Sequence, residues 1–169
     1  MTVLREGNLQ ITINNAIEAR KFDDDASHGL SHCMKAVDFV VELSDHYLFI
    51  ELKDPQDPQV PTERASQYYQ EFKNGQLDEN LKYKYRDSFL YEWAAGRANK
   101  PIDYLVLIAL DVLDGSLLLT RQEGLERKLP LLGPGKRPWL RPIVRGCGVF
   151  NIDSWNRRYP EYPVSRLTP

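Results

Sequence analysis

VDFVVELSDHYLFIELKD, residues 37–54, consists of two apolar runs separated by Ser44 and Asp45. Ser and Asp are turn formers, and the flanking runs are rich in the β-branched and aromatic residues that favour strands, so the stretch predicts an antiparallel hairpin. A symmetric turn sets Leu43 against His46, Val41 against Leu48, Phe39 against Ile50 and Asp38 against Glu51. Side chains alternate faces along a strand, which gathers Val37, Phe39, Val41 and Leu43 on a core face with Leu48, Ile50 and Leu52. Glu51 and Lys53 fall on the opposite face with Asp38 beside them, so three charges meet at one end of the hairpin. Directly opposed like charges destabilise a sheet by about 0.2–1 kcal/mol when solvated, and by more where water is excluded. A divalent cation would relieve that repulsion, since Mg²⁺ is commonly held by one or two carboxylates, with waters and phosphate oxygens completing its shell. Lys53 would then stand beside the metal, placed to meet negative charge on a phosphoryl group or to position an attacking water.

A strand Asp, a hairpin, and then Glu-x-Lys at the end of the next strand resembles the PD-(D/E)xK nucleases, the restriction-endonuclease-like group of metal-dependent phosphodiesterases. The resemblance covers the hairpin closely and the elements up to about Leu110 in outline. It implies that Asp38 and Glu51 bind Mg²⁺ or Mn²⁺, that the backbone carbonyl of Leu52 adds a ligand, and that Lys53 assists hydrolysis. Members of that superfamily often contribute a helix Glu as well, which makes Glu18 the accessory candidate. Val37 occupies the position before the Asp, where the motif's Pro varies widely. Acid-x-Lys triplets also occur at Glu71 with Lys73 and at Glu126 with Lys128, but only Glu51 with Lys53 has the strand, the hairpin and the opposed acid. The competing structural reading is a lysine that neutralises two acids at a hairpin mouth.

With 169 residues and 42% hydrophobic content, the chain can bury one good core, and a single domain over 1–169 is expected. Within it, 1–115 reads as a nuclease-like core and 116–169 as a basic C-terminal extension packed on it. Residues 1–120 carry 12 Lys and Arg against 20 Asp and Glu, a balance of -8, whereas residues 121–169 carry 10 against 4, a balance of +6; together they give the net charge of -2. The basic segment mixes Trp139, Trp155 and Tyr159 with Lys136, Arg137, Arg141, Arg145, Arg157 and Arg158, a combination suited to phosphate contact and base stacking. Lys136, Arg137, Arg157 and Arg158 are therefore the candidate nucleic-acid contacts, with a solvated surface as the bland alternative. No signal-peptide pattern opens the chain, no apolar run approaches a membrane span, and Cys33 and Cys147 stand far apart, so a reduced, cytoplasmic protein without a membrane partner is expected.

NLQITINNAIEARKF, residues 8–22, admits two readings: a helix burying Leu9, Ile13 and Ile17, or a short strand LQITI turning at Asn14 and Asn15. The helix over at least Asn15 to Lys21 is preferred. Residues 23–33 read as a polar loop; His28, His32 and Cys33 lack the four-ligand spacing of a zinc site. Pro55, Pro58 and Pro61 exclude regular structure, after which helices are predicted over Glu63–Lys73 and Leu77–Ala95. The second carries a core stripe at Leu77, Leu81, Tyr85, Phe89 and Trp93, with Lys82 and Arg86 on another side within reach of a phosphate. Ile102 to Leu110 reads as a strand buried on both faces and parallel to the second hairpin strand. A short strand at Ser116–Thr120, a helix near Glu123–Lys128, a rigid loop at Gly133–Trp139, a strand ending near Ile152 and a helix capped by Asp153 complete the chain. The fold expected is α/β, a mixed sheet flanked by helices in restriction-endonuclease-like fashion. The function expected is metal-dependent hydrolysis of nucleic-acid phosphodiesters, with DNA the expected substrate and a homodimer admitted. The alternative is a non-catalytic nucleic-acid- or protein-binding module on the same fold.

Overall fold

A computed structural model describes residues 1–167. Strands β1 (Thr2–Glu6) and β2 (Leu9–Ile13) form a tight hairpin, whose two-residue turn uses Gly7 at φ 53°, a left-handed conformation that glycine adopts without penalty. Strand β3 (Glu18–Lys21) follows, then β4 (Phe39–Glu42) and β5 (Tyr47–Lys53). Helices α1 (Thr62–Lys73) and α2 (Leu77–Ala94) lead to β6 (Ile102–Ile108), α3 (Gly115–Glu126), β7 (Gly146–Phe150), α4 (Ile152–Arg158) and β8 (Val164–Arg166).

A five-stranded sheet in the order β3-β4-β5-β6-β7 is antiparallel through β5 and parallel from β5 to β7. A second, three-stranded antiparallel sheet has the order β1-β2-β8. The chain is thus mixed α/β. The hairpin register is the one its turn predicts: Phe39 pairs with Ile50 and Val41 with Leu48, and Leu43 N–H donates to the His46 carbonyl at 2.8 Å.

Both faces of the five-stranded sheet are buried. On one, Phe39, Val41, Leu48, Ile50, Leu52, Leu105 and Leu107 pack against Leu9, Ile11 and Ile13 of β2, Val164 of β8 and Trp155 of α4. On the other, Val40, Tyr47, Phe49, Tyr104, Val106 and Ile108 meet Phe72 of α1, Leu81 and Tyr85 of α2, and Leu118 and Leu125 of α3. The expectation that the face carrying the charges is not core is corrected here: Glu51 projects into a packed layer under α1 and α2. Val37 also belongs to that layer and not with Phe39, because it precedes the regular strand.

The helix expected over Asn15 to Lys21 is not formed. Leu9 and Ile13 are separated by an even number of positions, so their spacing fits a strand face as well as a helix; Ile11, fully buried between them, reveals the period of two. Ile17, the third residue of the supposed stripe, is 64% exposed. The strand expected at Ser116–Thr120 is likewise part of α3, whose first turn is held by the Asp114 side chain accepting from Leu117 N–H at 2.8 Å. Asn151, not Asp153, caps α4, through a reciprocal capping box with Ser154. The segment from 116 onwards supplies a strand to each sheet, β7 to the larger and β8 to the smaller.

Candidate functional site

Asp38 stands one residue before β4, and three hydrogen bonds fix the chain there. Phe22 N–H donates to the Asp38 carbonyl at 2.7 Å, Val37 N–H donates to Ser88 Oγ on α2 at 3.0 Å, and Leu52 N–H donates to Asp38 Oδ2 at 2.7 Å. The Leu52 bond ties Asp38 to the end of β5, where strand alternation turns Glu51 and Lys53 to the same side. Asp38 is 1% exposed and Glu51 fully buried.

Two ammonium groups stand between these carboxylates. Lys53 Nζ is 2.7 Å from Glu51 Oε1 and 3.8 Å from Asp38 Oδ1. Lys84, from the inner face of α2, places Nζ 2.8 Å from Glu51 Oε1, 3.8 Å from Asp38 Oδ1 and 3.7 Å from Oδ2 of Asp23 at the rim. Only one of the contacts to Glu51 is a directed hydrogen bond, from Lys84 Nζ to Oε2 at 3.0 Å; Oε1 lies at ion-pair distance from both lysines but outside hydrogen-bond geometry. Asp38 Oδ1 has only the two ammonium groups at 3.8 Å.

Burial, and then the neighbouring Glu51 charge, push the Asp38 carboxyl up to about 7, against the opposing pull of Lys53, Lys84 and the Leu52 N–H. For Lys53, burial works against the charge, but Glu51 and Asp38 outweigh it and hold the ammonium above its ordinary range. Tyr68 of α1 is part of the same environment: burial raises its phenol, with Lys53 opposing.

Comparison with protein-family models, with curated proteins and with solved structures found no match. What this site can do therefore follows from its own atoms. Asp38 Oδ1 and Glu51 Oε1 both face the two ammonium groups, at 3.8 Å and at 2.7–2.8 Å, and two such carboxylates are the number a cation can take when water or phosphate oxygens fill its remaining positions. Among the described residues no group of three or more His, Cys, Asp and Glu side chains is placed to hold a metal, so such an ion would depend on those outside oxygens. Leu52 enters the site visibly through its N–H.

The remaining sequence candidates are placed elsewhere. Glu18 lies at the far end of β3, opposite Glu42 and 3.0 Å from Arg20 Nε, and does not join the site. Lys136 and Arg137 are exposed on the irregular segment after α3, whereas Arg157 and Arg158 sit on α4, which packs against the opposite face of the sheet. The four do not make one patch. Trp155, read as a stacking residue, is fully buried in the core. His28 packs against Phe22 and Tyr91, and its Nδ1 accepts from Leu30 N–H at 3.2 Å, which accounts for one ring nitrogen without a metal.

Lys84 is the residue that sequence reasoning missed, having singled out Lys82 and Arg86 on the same helix. Lys82 is taken up by Glu79, three residues away. The signal was available: Lys84 follows Leu81 by three positions and precedes Ser88 by four, both buried, which puts it on the inner face of α2.

Proposed function

We propose that the protein is a metal-dependent nuclease with a restriction-endonuclease-like core, hydrolysing phosphodiester bonds of nucleic acid, most simply DNA. The observation that carries this reading is the convergence of two buried carboxylates on Lys53 at the end of the hairpin. Burying ionised groups in this way costs several kcal/mol per ion, roughly, and a fold needing only stability is as well served by apolar side chains. The strand order supports the same reading, since an antiparallel β3-β4-β5 meander continues into parallel β6 and β7 with the acids on its central strands.

In this mechanism Asp38 and Glu51 would hold Mg²⁺ or Mn²⁺, with the Leu52 carbonyl as a further ligand. When bound, the ion would supply Lewis-acid polarisation of the phosphoryl group and a water of lowered pKa. Asp38 must lose its proton to serve as a ligand, which its position near neutrality allows. Lys53 is one-third exposed and is the charge available to the attacking water and the scissile phosphate. Lys84, more deeply set, keeps Glu51 oriented through its bond to Oε2.

Purified protein incubated with single-stranded and duplex DNA and RNA tests the proposal. Cleavage is expected with Mg²⁺ or Mn²⁺, is stopped by chelator, and falls by about 10²–10³-fold in Lys53→Ala. The same cations should raise the melting temperature of the wild type and not that of Asp38→Asn. Cleavage that survives both chelation and Lys53→Ala would overturn the mechanism.

One observation favours a second reading, the non-catalytic module: Lys53 and Lys84 already balance the two carboxylates without any ion. A protein that cleaves none of these substrates and shows no cation-dependent melting shift would be that module.

A further inference from the structure

At the other end of β5 and β6, on the same sheet face as Glu51, lies a cleft of about 480 Å³ between the last turns of α2 and the segment leading to β7. Its walls are apolar. Leu90 and Trp93 of α2 are 53% and 60% exposed, and Trp139, 41% exposed, faces them from the irregular segment with Ile143 behind. Trp139 is held by its packing on Gly133, where an added Cβ would meet the indole at 3.3 Å; the glycine permits this close approach. Two indoles left open to solvent at one cleft are unusual in a chain that buries Trp155 completely.

Charge identifies the occupant. Of the nearby cations, Lys100, which lines the cleft, is matched by Glu42, Arg97 by Glu92 and Arg145 by Asp103. Among the described residues Arg141, which also lines it, has only the Ala98 carbonyl as a partner, at 3.2 Å, and Lys136 and Arg137 just before Trp139 have no carboxylate within ion-pair reach. The unbalanced charge is positive, so a ligand matching both features is planar, aromatic and anionic. An unpaired nucleotide of a single strand is that ligand: its base stacks on indole and its phosphate meets arginine.

We propose that this cleft, with Trp93, Trp139 and Arg141, binds an unpaired base of the single-stranded nucleic acid on which the Asp38–Glu51–Lys53 site acts. The inference rests on the nuclease reading for its choice of nucleic acid and adds the strand state and the binding position. Distance is consistent on two independent scales. Register places Tyr47 beside Ile102 at the cleft and Glu51 beside Val106 at the site, a step of about 13 Å at 3.3 Å per strand residue. Along α2, the axial rise from Lys84 at the site to Trp93 at the cleft is about 13 Å at 1.5 Å per residue, with Trp93 half a turn round towards solvent. That span is a few nucleotides, which are about 3.4 Å apart along a duplex strand and further apart in an extended one.

The test is tryptophan fluorescence in chelator, so that nothing is cleaved, with oligothymidylate, oligouridylate and a DNA duplex of equal length. The single strands should quench the two exposed indoles, with buried Trp155 unaffected. Trp93→Ala and Trp139→Ala, at exposed positions, should retain their circular dichroism and each weaken binding by about 5- to 100-fold. Arg141→Ala should reduce the salt dependence by about one counterion. Tighter binding of thymidylate or of uridylate assigns the strand as DNA or RNA. Equal binding of duplex with the Trp variants unchanged overturns the proposal, as does no binding of either oligomer. A concentration-dependent dimer abolished by Trp139→Ala would assign the cleft to a second copy and also overturn it. Cleavage by Trp variants that bind and cut like the wild type removes the base cleft and keeps the nuclease; Trp-dependent binding without cleavage under Mg²⁺ does the reverse.

Discussion

Buried acids stand at both ends of α2, Glu92 on the helix itself and Asp38 with Glu51 beneath it, and they are treated differently. Glu92, 1% exposed, receives Arg20 Nη2 at 2.8 Å and a bidentate grip from Arg97, with Nε and Nη2 both at 2.9 Å. Both its oxygens are hydrogen-bonded, and although burial raises the carboxyl, these two arginines overcome it and hold it below its ordinary range. Asp38 and Glu51 share two lysines that balance their charge but leave an oxygen of each without a directed bond, and Asp38 is pushed up. Guanidinium forks meet a carboxylate with paired, planar hydrogen bonds, whereas ammonium groups act as compact charges without that fixed geometry. The two sites thus differ in how their buried charge is held, and in the direction in which it shifts each carboxyl.

The largest expected effect is at the satisfied end. Glu92→Gln leaves Arg20 and Arg97 short of their shared acceptor and should cost about 3 kcal/mol in urea unfolding, because breaking a buried pair strands the remaining charge. At the other end the sign should reverse. Asp38→Asn keeps an acceptor for Leu52 N–H and removes a disfavoured charge, so the metal-free protein at pH 8 should gain about 1–2 kcal/mol while losing its cation-dependent stabilisation. A loss of stability in Asp38→Asn equal to that in Glu92→Gln would make both networks structural.

The pH dependence sharpens the contrast. Asp38 has its folded pKa raised from 3.8 to about 7, so the native state binds the extra proton between those values and this contribution falls as pH rises through that window. Glu92 has its folded pKa lowered, so its contribution is present above the unfolded carboxylate range and is lost as pH falls through the folded value. Lys53, raised, keeps its contribution throughout and loses it only at high pH. Melts of the metal-free wild type and Asp38→Asn should therefore diverge progressively between about pH 4 and pH 7 and run parallel above, with the variant the more stable. The smallest effect is expected from Arg157→Ala with Arg158→Ala on α4, across the sheet from both acids and cleft: oligonucleotide affinity should change by less than about threefold, within the usual range for a surface substitution.

What the sequence disclosed follows the range of the interactions involved. The hairpin register, α1, α2 and β6 were readable because turn residues, prolines and apolar periods act within a few positions. The acidic trio came with the register, since pairing Phe39 with Ile50 brings Asp38 to Glu51. The N-terminal sheet was hidden because β2 takes its second partner from β8, at the opposite end of the chain, and no local pattern records that pairing. Lys84 differs: its spacing to Leu81 and Ser88 marks the inner face of α2, but its partner Glu51 on β5 is met only when the helix docks. The basic segment is not one surface, because composition counts charges without regard to face, and the sheet divides Arg157 and Arg158 from Lys136 and Arg137.

Arg166 connects these themes. On β8 it clasps Asp54, the residue after Lys53, with Nε at 3.2 Å and Nη2 at 3.1 Å, and donates to the Ala109 carbonyl at 2.7 Å, thereby tying together the ends of β5 and β6. Without β8 the edge of β2 is open, and the strand that carries Glu51 and Lys53 ends without its clasp. The smaller sheet thus serves as a fastening for the strand end from which the acidic centre projects, so its own stability sets how firmly that centre is held.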